Sequence, residues 1–248
     1  MILSHYVRPC YQLLVCLFLF SCNATEKQTN SKSVSIDTTT TRTDASTDQV
    51  MVSGIVTSPQ IMMLAKHRVG NYAKWKMSYD AHDSMRLANG MHNYVIGRST
   101  EDSNVIFVVL KADDAAKAKA FVKDPSLKQA MQKGGVTGTP TIMMVNMVWQ
   151  DTATVAGIRS LSSFNVKDWA TWQKAFEEGR SERLENGVAD RSYGNDPENP
   201  NMVTLVVAIL DSTKAVAYWK SDILKKRREA GGVIGQPERF LFRIAQRY

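Results

Sequence analysis

Trp75, Tyr79, His82 and Arg86 are separated by steps of four, three and four residues. On a helix those steps return to one face, because about 3.6 residues complete a turn. An indole, a phenol, an imidazole and a guanidinium sharing a face can hold a planar anionic molecule by stacking and charge. His82 is the candidate general base of such a site, since an imidazole titrates near neutral pH. Arg86 is the candidate anion stabiliser, and Trp75 and Tyr79 are the candidate walls. Tyr94, two residues beyond His92, shares a strand face with it and is a candidate to line the same cleft, with core packing as the alternative. The structural alternative is that Trp75 and Tyr79 are core, with His82 and Arg86 at its rim and the arginine stem lying on apolar surface.

The elements that must position these residues occur twice. Val69-Gly70-Asn71-Tyr72-Ala73-Lys74-Trp75 is echoed 97 residues later by Val166-Lys167-Asp168-Trp169-Ala170-Thr171-Trp172. The same offset pairs Arg86-Leu87 with Arg183-Leu184, Asn89-Gly90 with Asn186-Gly187, and Gly134-Gly135-Val136 with Gly231-Gly232-Val233. About a third of the positions between Val69 and Pro140 are identical to their partners. A repeat this long is a complete small domain, not a solenoid turn.

Each unit reads strand, helix, strand, strand, helix, strand. In the first, a strand over Ile61 to Lys66 precedes a helix from about Asn71 to Ala88. Asn71 and Asp168 stand at N-cap positions, and Gly90 and Gly187 follow the helix where a left-handed residue is wanted. Strands over Met91 to Arg98 and Val105 to Lys111 come next. A helical region from Asp114 to Lys133 is interrupted at Asp124-Pro125, and the last strand runs from Thr141 to Trp149. Val105 to Leu110 and Ile142 to Val145 are apolar at odd and even positions alike, so both sheet faces must be covered. The other unit is the expected cover, with two four-stranded sheets packed face to face and the helices outside.

The βαββαβ order, the segment from Tyr72-Ala73-Lys74-Trp75 through His82, Arg86 and Gly90, and the Gly134-to-Pro140 turn together resemble the dimeric α+β barrel superfamily. The nearest relatives by that resemblance are antibiotic biosynthesis monooxygenase-like proteins. The resemblance implies an α+β fold of two tandem ferredoxin-like units forming the dimeric barrel within one chain, so that a monomer suffices. It also implies a small-molecule cleft between the first helix and the sheet. The second unit keeps Trp172, Phe176 and Arg183 but has Gly179 where the first has His82. A residue kept in both copies serves the shared fold, whereas one that differs marks where function has room to diverge. His82 and Tyr79 therefore point to a site in the first unit.

The first 22 residues carry all three cysteines, a basic residue at Arg8 and an apolar stretch from Leu13 to Phe20 too short to span a bilayer. Leu19-Phe20-Ser21-Cys22 resembles the lipobox of bacterial lipoproteins, which implies a diacylated Cys22 and membrane lipid as a partner. A plain cleaved signal is the alternative. Residues 23–50 are rich in Ser and Thr and contain no aromatic residue, the composition of a tether. The expected organisation is a signal peptide over 1–21, a tether over 22–56, and barrel units over 57–150 and 151–248, at the bacterial cell envelope.

The 248 residues are 44% apolar and 22% charged, with a net charge of +7. No apolar run is long enough for a multi-span membrane protein. Histidines 67, 82 and 92 lack metal-ligand spacing, no phosphate-binding glycine motif opens a helix, and neither metal nor cofactor is called for. Lys225-Lys226-Arg227-Arg228 reads as a solvated helix face, so no nucleic-acid partner is expected. The functional expectation is a lipoprotein that binds a small aromatic or anionic molecule, with cofactor-independent acid–base or monooxygenase-type chemistry if it is an enzyme. The alternative is a non-catalytic envelope scaffold.

Overall fold

In the computed structural model, which describes residues 54–248, the two repeats lay down the same series of elements. The first contains β1 (Ile55–Val56), β2 (Gln60–Val69), α1 (Tyr72–Ala81), α2 (Asp83–Ala88), β3 (Met91–Ser99), β4 (Val105–Ala112), α3 (Ala115–Val122), α4 (Pro125–Lys133) and β5 (Val136–Asp151). The second contains β6 (Ile158–Val166), α5 (Trp169–Glu178), α6 (Arg180–Glu185), β7 (Val188–Asn195), β8 (Met202–Ile209), α7 (Ser212–Trp219), α8 (Asp222–Ala230), β9 (Val233–Ile234) and β10 (Phe240–Arg247). The signal segment, Cys22 and nearly all of the tether lie outside the described residues. Ile55 and Val56, which the expected organisation places at the end of the tether, pair antiparallel with Asp151 and Gln150.

Local chemistry sets the element ends. Asn71 and Asp168 each accept a hydrogen bond from the backbone N–H three residues on, at 2.9 and 2.8 Å, and so cap α1 and α5. Asp124 caps α4 with Pro125 in its first turn, as the Asp-Pro pair predicts. Gly90 and Gly187 have φ of +67° and +74°, a conformation that side chains resist, and they turn each helix into the next strand.

The single helix expected from Asn71 to Ala88 is instead two. At His82 the backbone leaves the helical region (φ −102°, ψ 19°), and its N–H bonds to the carbonyls of Tyr79 and Asp80. Its imidazole Nδ1 lies 2.6 Å from the Ser78 carbonyl oxygen, the acceptor that the His82 N–H would use in a continuous helix. The second copy breaks at the equivalent Gly179.

Within each repeat the strands adopt the ferredoxin-like order, β5-β2-β4-β3 and β10-β6-β8-β7. The edges then join: β3 pairs with β10, and β5 pairs with β7, both antiparallel. The expected pair of facing sheets is thus stitched at both margins into a closed barrel, and closure removes the open edges that would otherwise invite pairing with another chain.

The doubly apolar strands divide as their alternation requires. Ile106, Val108 and Leu110 of β4 pack under the helices with Trp75, Met91, Ile96 and Phe121. Phe107 and Val109, one position out of phase, fill the lumen with Met62, Leu64, Val145, Met147, Leu161, Val206 and Phe242 from both repeats. The repeat extends to irregularities. β3 bulges at Tyr94 and β7 at Arg191, while β5 shifts register between Met147 and Trp149 and β10 between Ile244 and Gln246. Each member of these pairs lies 97 residues from its twin.

Candidate functional site

The cleft of the first repeat lies between α1, α2 and α4 and the outer face of its sheet, with roughly 530 Å³ of space, part of it open to solvent. Trp75, Tyr79, His82 and Arg86 all line it, so the break at His82 does not disperse the predicted stripe. Trp75 is 4% exposed and forms the floor, 5.0 Å from the Tyr79 ring. Tyr79 carries Arg86 over its ring at 3.8 Å and donates its hydroxyl to Asn93 Oδ1. Burial raises the Tyr79 pKa despite the nearby Arg86, so the phenol stays protonated. The core reading of Trp75 and Tyr79 and the wall reading thus describe one arrangement.

Nδ1 of His82 lies 2.6 Å from a carbonyl oxygen, which can only accept, so Nδ1 carries a proton, and in the neutral ring Nε2 is the nitrogen with the lone pair. Arg86 is 4% exposed. It bonds Asp83 Oδ1 through Nη2 at 3.1 Å, while its Nε has no partner. Asp83 is shared, since it also accepts from Asn93 Nδ2 at 2.6 Å.

Tyr94 does not line this cleft. It shares a face with His92, as expected, but that face is the lumen side, and the bulge at Tyr94 sets it inside the barrel beside Gln150. Asn93 takes the cleft-facing place. His67, just past the end expected for the first strand, lies within β2 and lines the cleft. It is 7% exposed, neither ring nitrogen has a partner, and burial lowers its pKa to about 4. The signal available in the sequence is its twin position, which holds Phe164.

The second repeat has its own cleft, with roughly 720 Å³ of space lined by Trp172, Phe176, Arg183 and Tyr218 among others. There Phe164, Phe176, Gly179 and Asp190 replace His67, Tyr79, His82 and Asn93. Arg183 is closed off by Asp190, with Nε and Nη2 each 2.7 Å from a carboxylate oxygen. Arg86 has no such bidentate partner, because Asn93 stands where Asp190 would.

No family model and no curated protein matches the chain in sequence. Among solved structures, an anthrone oxidase-like protein superposes with a TM-score of 0.52 at 11% identity, covering 77% of this chain and 94% of that one. A candidate monooxygenase from Fusobacterium nucleatum superposes with a TM-score of 0.51, also at 11% identity over 77% of this chain and 94% of its own. At such identities the likeness is one of fold. The chain has the dimeric α+β barrel fold, with both halves supplied by one polypeptide.

Proposed function

We propose that the protein binds a small, planar, anionic molecule in the first-repeat cleft and there performs cofactor-independent acid–base chemistry. The observation that carries this reading is the contrast between Arg86 and Arg183. Both are buried and both line a cleft, but Arg183 has Nε and Nη2 taken by Asp190, whereas Arg86 has one bond, to Asp83, and an unpartnered Nε. A guanidinium so placed gains from an anionic ligand what Asp190 already gives its twin. His67, held neutral by burial, and His82 add two imidazoles to the same cleft. In the catalytic form, Nε2 of His82 removes a proton from an acidic C–H or O–H of the ligand, and Arg86 holds the resulting anion. Monooxygenase-type chemistry would begin with the same deprotonation.

Calorimetric titration with 1-naphthoate tests the binding step. Asn93→Asp places the second repeat's carboxylate beside Arg86 and should cost about tenfold in affinity, roughly 1.4 kcal/mol. Arg86→Gln should cost at least as much. Wild-type affinity in both variants would dismiss the site and leave the scaffold reading standing.

The same proposal places the protein at the bacterial envelope, held by lipid on Cys22. What supports it is sequence: a short apolar segment, Leu19-Phe20-Ser21-Cys22, and a Ser/Thr-rich stretch before the barrel. Two or more acyl chains give a stable anchor, whereas one gives only reversible binding. Mass spectrometry of the membrane fraction should find a diacylated peptide beginning at Cys22. A soluble product with a free Cys22 thiol would refute the anchor.

A further inference from the structure

The lumen holds a third cavity, on the opposite side of the sheet from the two clefts, and its polar end is built from three arginines. Arg159 of β6 and Arg191 of the β7 bulge are each 5% exposed, and Arg247 of β10 lines the same space. Tyr94 and Gln150 complete the polar end, joined by a weak 3.5 Å contact. Nε of Arg159 and both Nε and Nη1 of Arg191 have no hydrogen-bond partner. The carboxylate paired with Arg191 is Asp151, whose Oδ1 is 3.8 Å from Nη1, beyond hydrogen-bond reach.

Buried guanidinium groups without a hydrogen-bonded carboxylate are costly, and mutual repulsion adds to the cost. Burial, with Arg191 and Arg247 nearby, pulls the Arg159 pKa down to about 10, still well above neutrality, so the charge persists. Packing alone does not require this cluster. At offset 97 the first repeat supplies Met62, Tyr94 and Gln150 at the positions of Arg159, Arg191 and Arg247, and all six residues line the one cavity. The two copies meet there about the pseudo-twofold axis, and at all three positions the second copy has arginine.

We infer that this end of the lumen is a binding site for a short-chain carboxylate, its head group on Arg159 and Arg191 and its tail against the apolar lumen wall. The space beside the arginines admits roughly three to five water-sized groups, room for a carboxylate with a short tail. A planar carboxylate matches the guanidinium fork, which takes two oxygens in parallel. Beyond the arginines the wall is Met62, Val206, Phe242 and Ile244. That wall leaves the extra oxygens of a phosphate unpaired but suits an aliphatic tail.

The test is calorimetry and thermal melting of the full chain with sodium butyrate or sodium phosphate. Butyrate should bind at least tenfold more tightly than phosphate and raise the melting temperature. Arg159→Met and Arg191→Tyr, which install the first-repeat residues, should each lose at least tenfold in butyrate affinity. Arg247→Gln provides a third variant should Arg191→Tyr fail to fold. Unliganded Arg159→Met should melt no lower than wild type, since it removes an uncompensated buried charge. Butyrate affinity unchanged in the arginine variants, phosphate binding as tight as butyrate, or a lower melting temperature for unliganded Arg159→Met would overturn the assignment.

Discussion

Gly194→Ala is expected to destabilise the barrel by about 3 kcal/mol and to lower its melting temperature by roughly 6–12 °C. The cause is the seam at which β7 meets β5. Gly194 lies opposite Met147, and a Cβ there would fall 2.3 Å from the Asn146 carbonyl oxygen and 2.7 Å from the Met147 Cα. Those atoms are backbone, so relief requires β5 to move away from β7 and the barrel to open. Gly194 has no left-handed backbone, so the penalty is steric. Alanine's lower chain entropy in the unfolded state offsets it by only about 0.4–1 kcal/mol. The twin position supplies the control. Gly97 occupies the β3–β10 seam opposite Ile244, and a Cβ there would meet the Phe242 ring at 2.6 Å. A ring can turn where a strand cannot, so Gly97→Ala should cost about 1–2 kcal/mol. Urea unfolding measures both. If Gly194→Ala lies within about 0.5 kcal/mol of wild type, the β5–β7 pairing is not what closes the barrel.

That seam also marks how far the sequence could be read. The repeat, the N-caps at Asn71 and Asp168, the glycine turns at Gly90 and Gly187 and the double apolarity of β4 were all legible, because each expresses local steric or hydrogen-bonding rules. The pairing of the two sheets' edges was not. Gly97 and Gly194 match at offset 97, yet nothing in either segment states which strand it must approach. The facing of Tyr94 is hidden for a related reason. Alternation correctly grouped it with His92, but which side is lumen depends on the tertiary fold, and the bulge adds a residue that a period of two cannot count. His67 escapes the strand pattern because the apolar run falters at Lys66. In the structure β2 continues to Val69, with Lys66 within reach of the Phe240 ring and His67 under the helices. The three lumen arginines come from separate strands of the second repeat and converge only when the barrel closes.

His67→Phe is expected to abolish an acid sensitivity worth about 3 kcal/mol. In the folded chain the imidazole is buried without a partner, and its pKa falls to about 4. In the unfolded chain it returns to the ordinary value of about 6.5. Between these values the unfolded state takes up a proton that the folded state refuses. Stability is therefore fully present above about pH 6.5 and declines as the pH falls toward 4, by about 1.4 kcal/mol per unit. Below pH 4 both states are protonated and the loss from this group is complete. Every other ionisable group is common to both proteins, so the difference between wild type and His67→Phe isolates the effect. Phenylalanine is the residue the second repeat places at the equivalent Phe164, beneath an equivalent tryptophan, so the substitution has a precedent within the fold. Urea unfolding from pH 7.5 to 4 should show the gap between the two proteins widening in favour of the variant. Parallel curves would mean that the native imidazole accepts a proton as readily as the unfolded one, so that water or a partner reaches it. The acid sensitivity has a functional counterpart: an imidazole kept neutral and unpaired in a cleft that also holds Arg86 is free to hydrogen-bond a ligand without adding a second charge. His67→Phe should then weaken naphthoate binding at pH 7 even as it relieves the instability in acid.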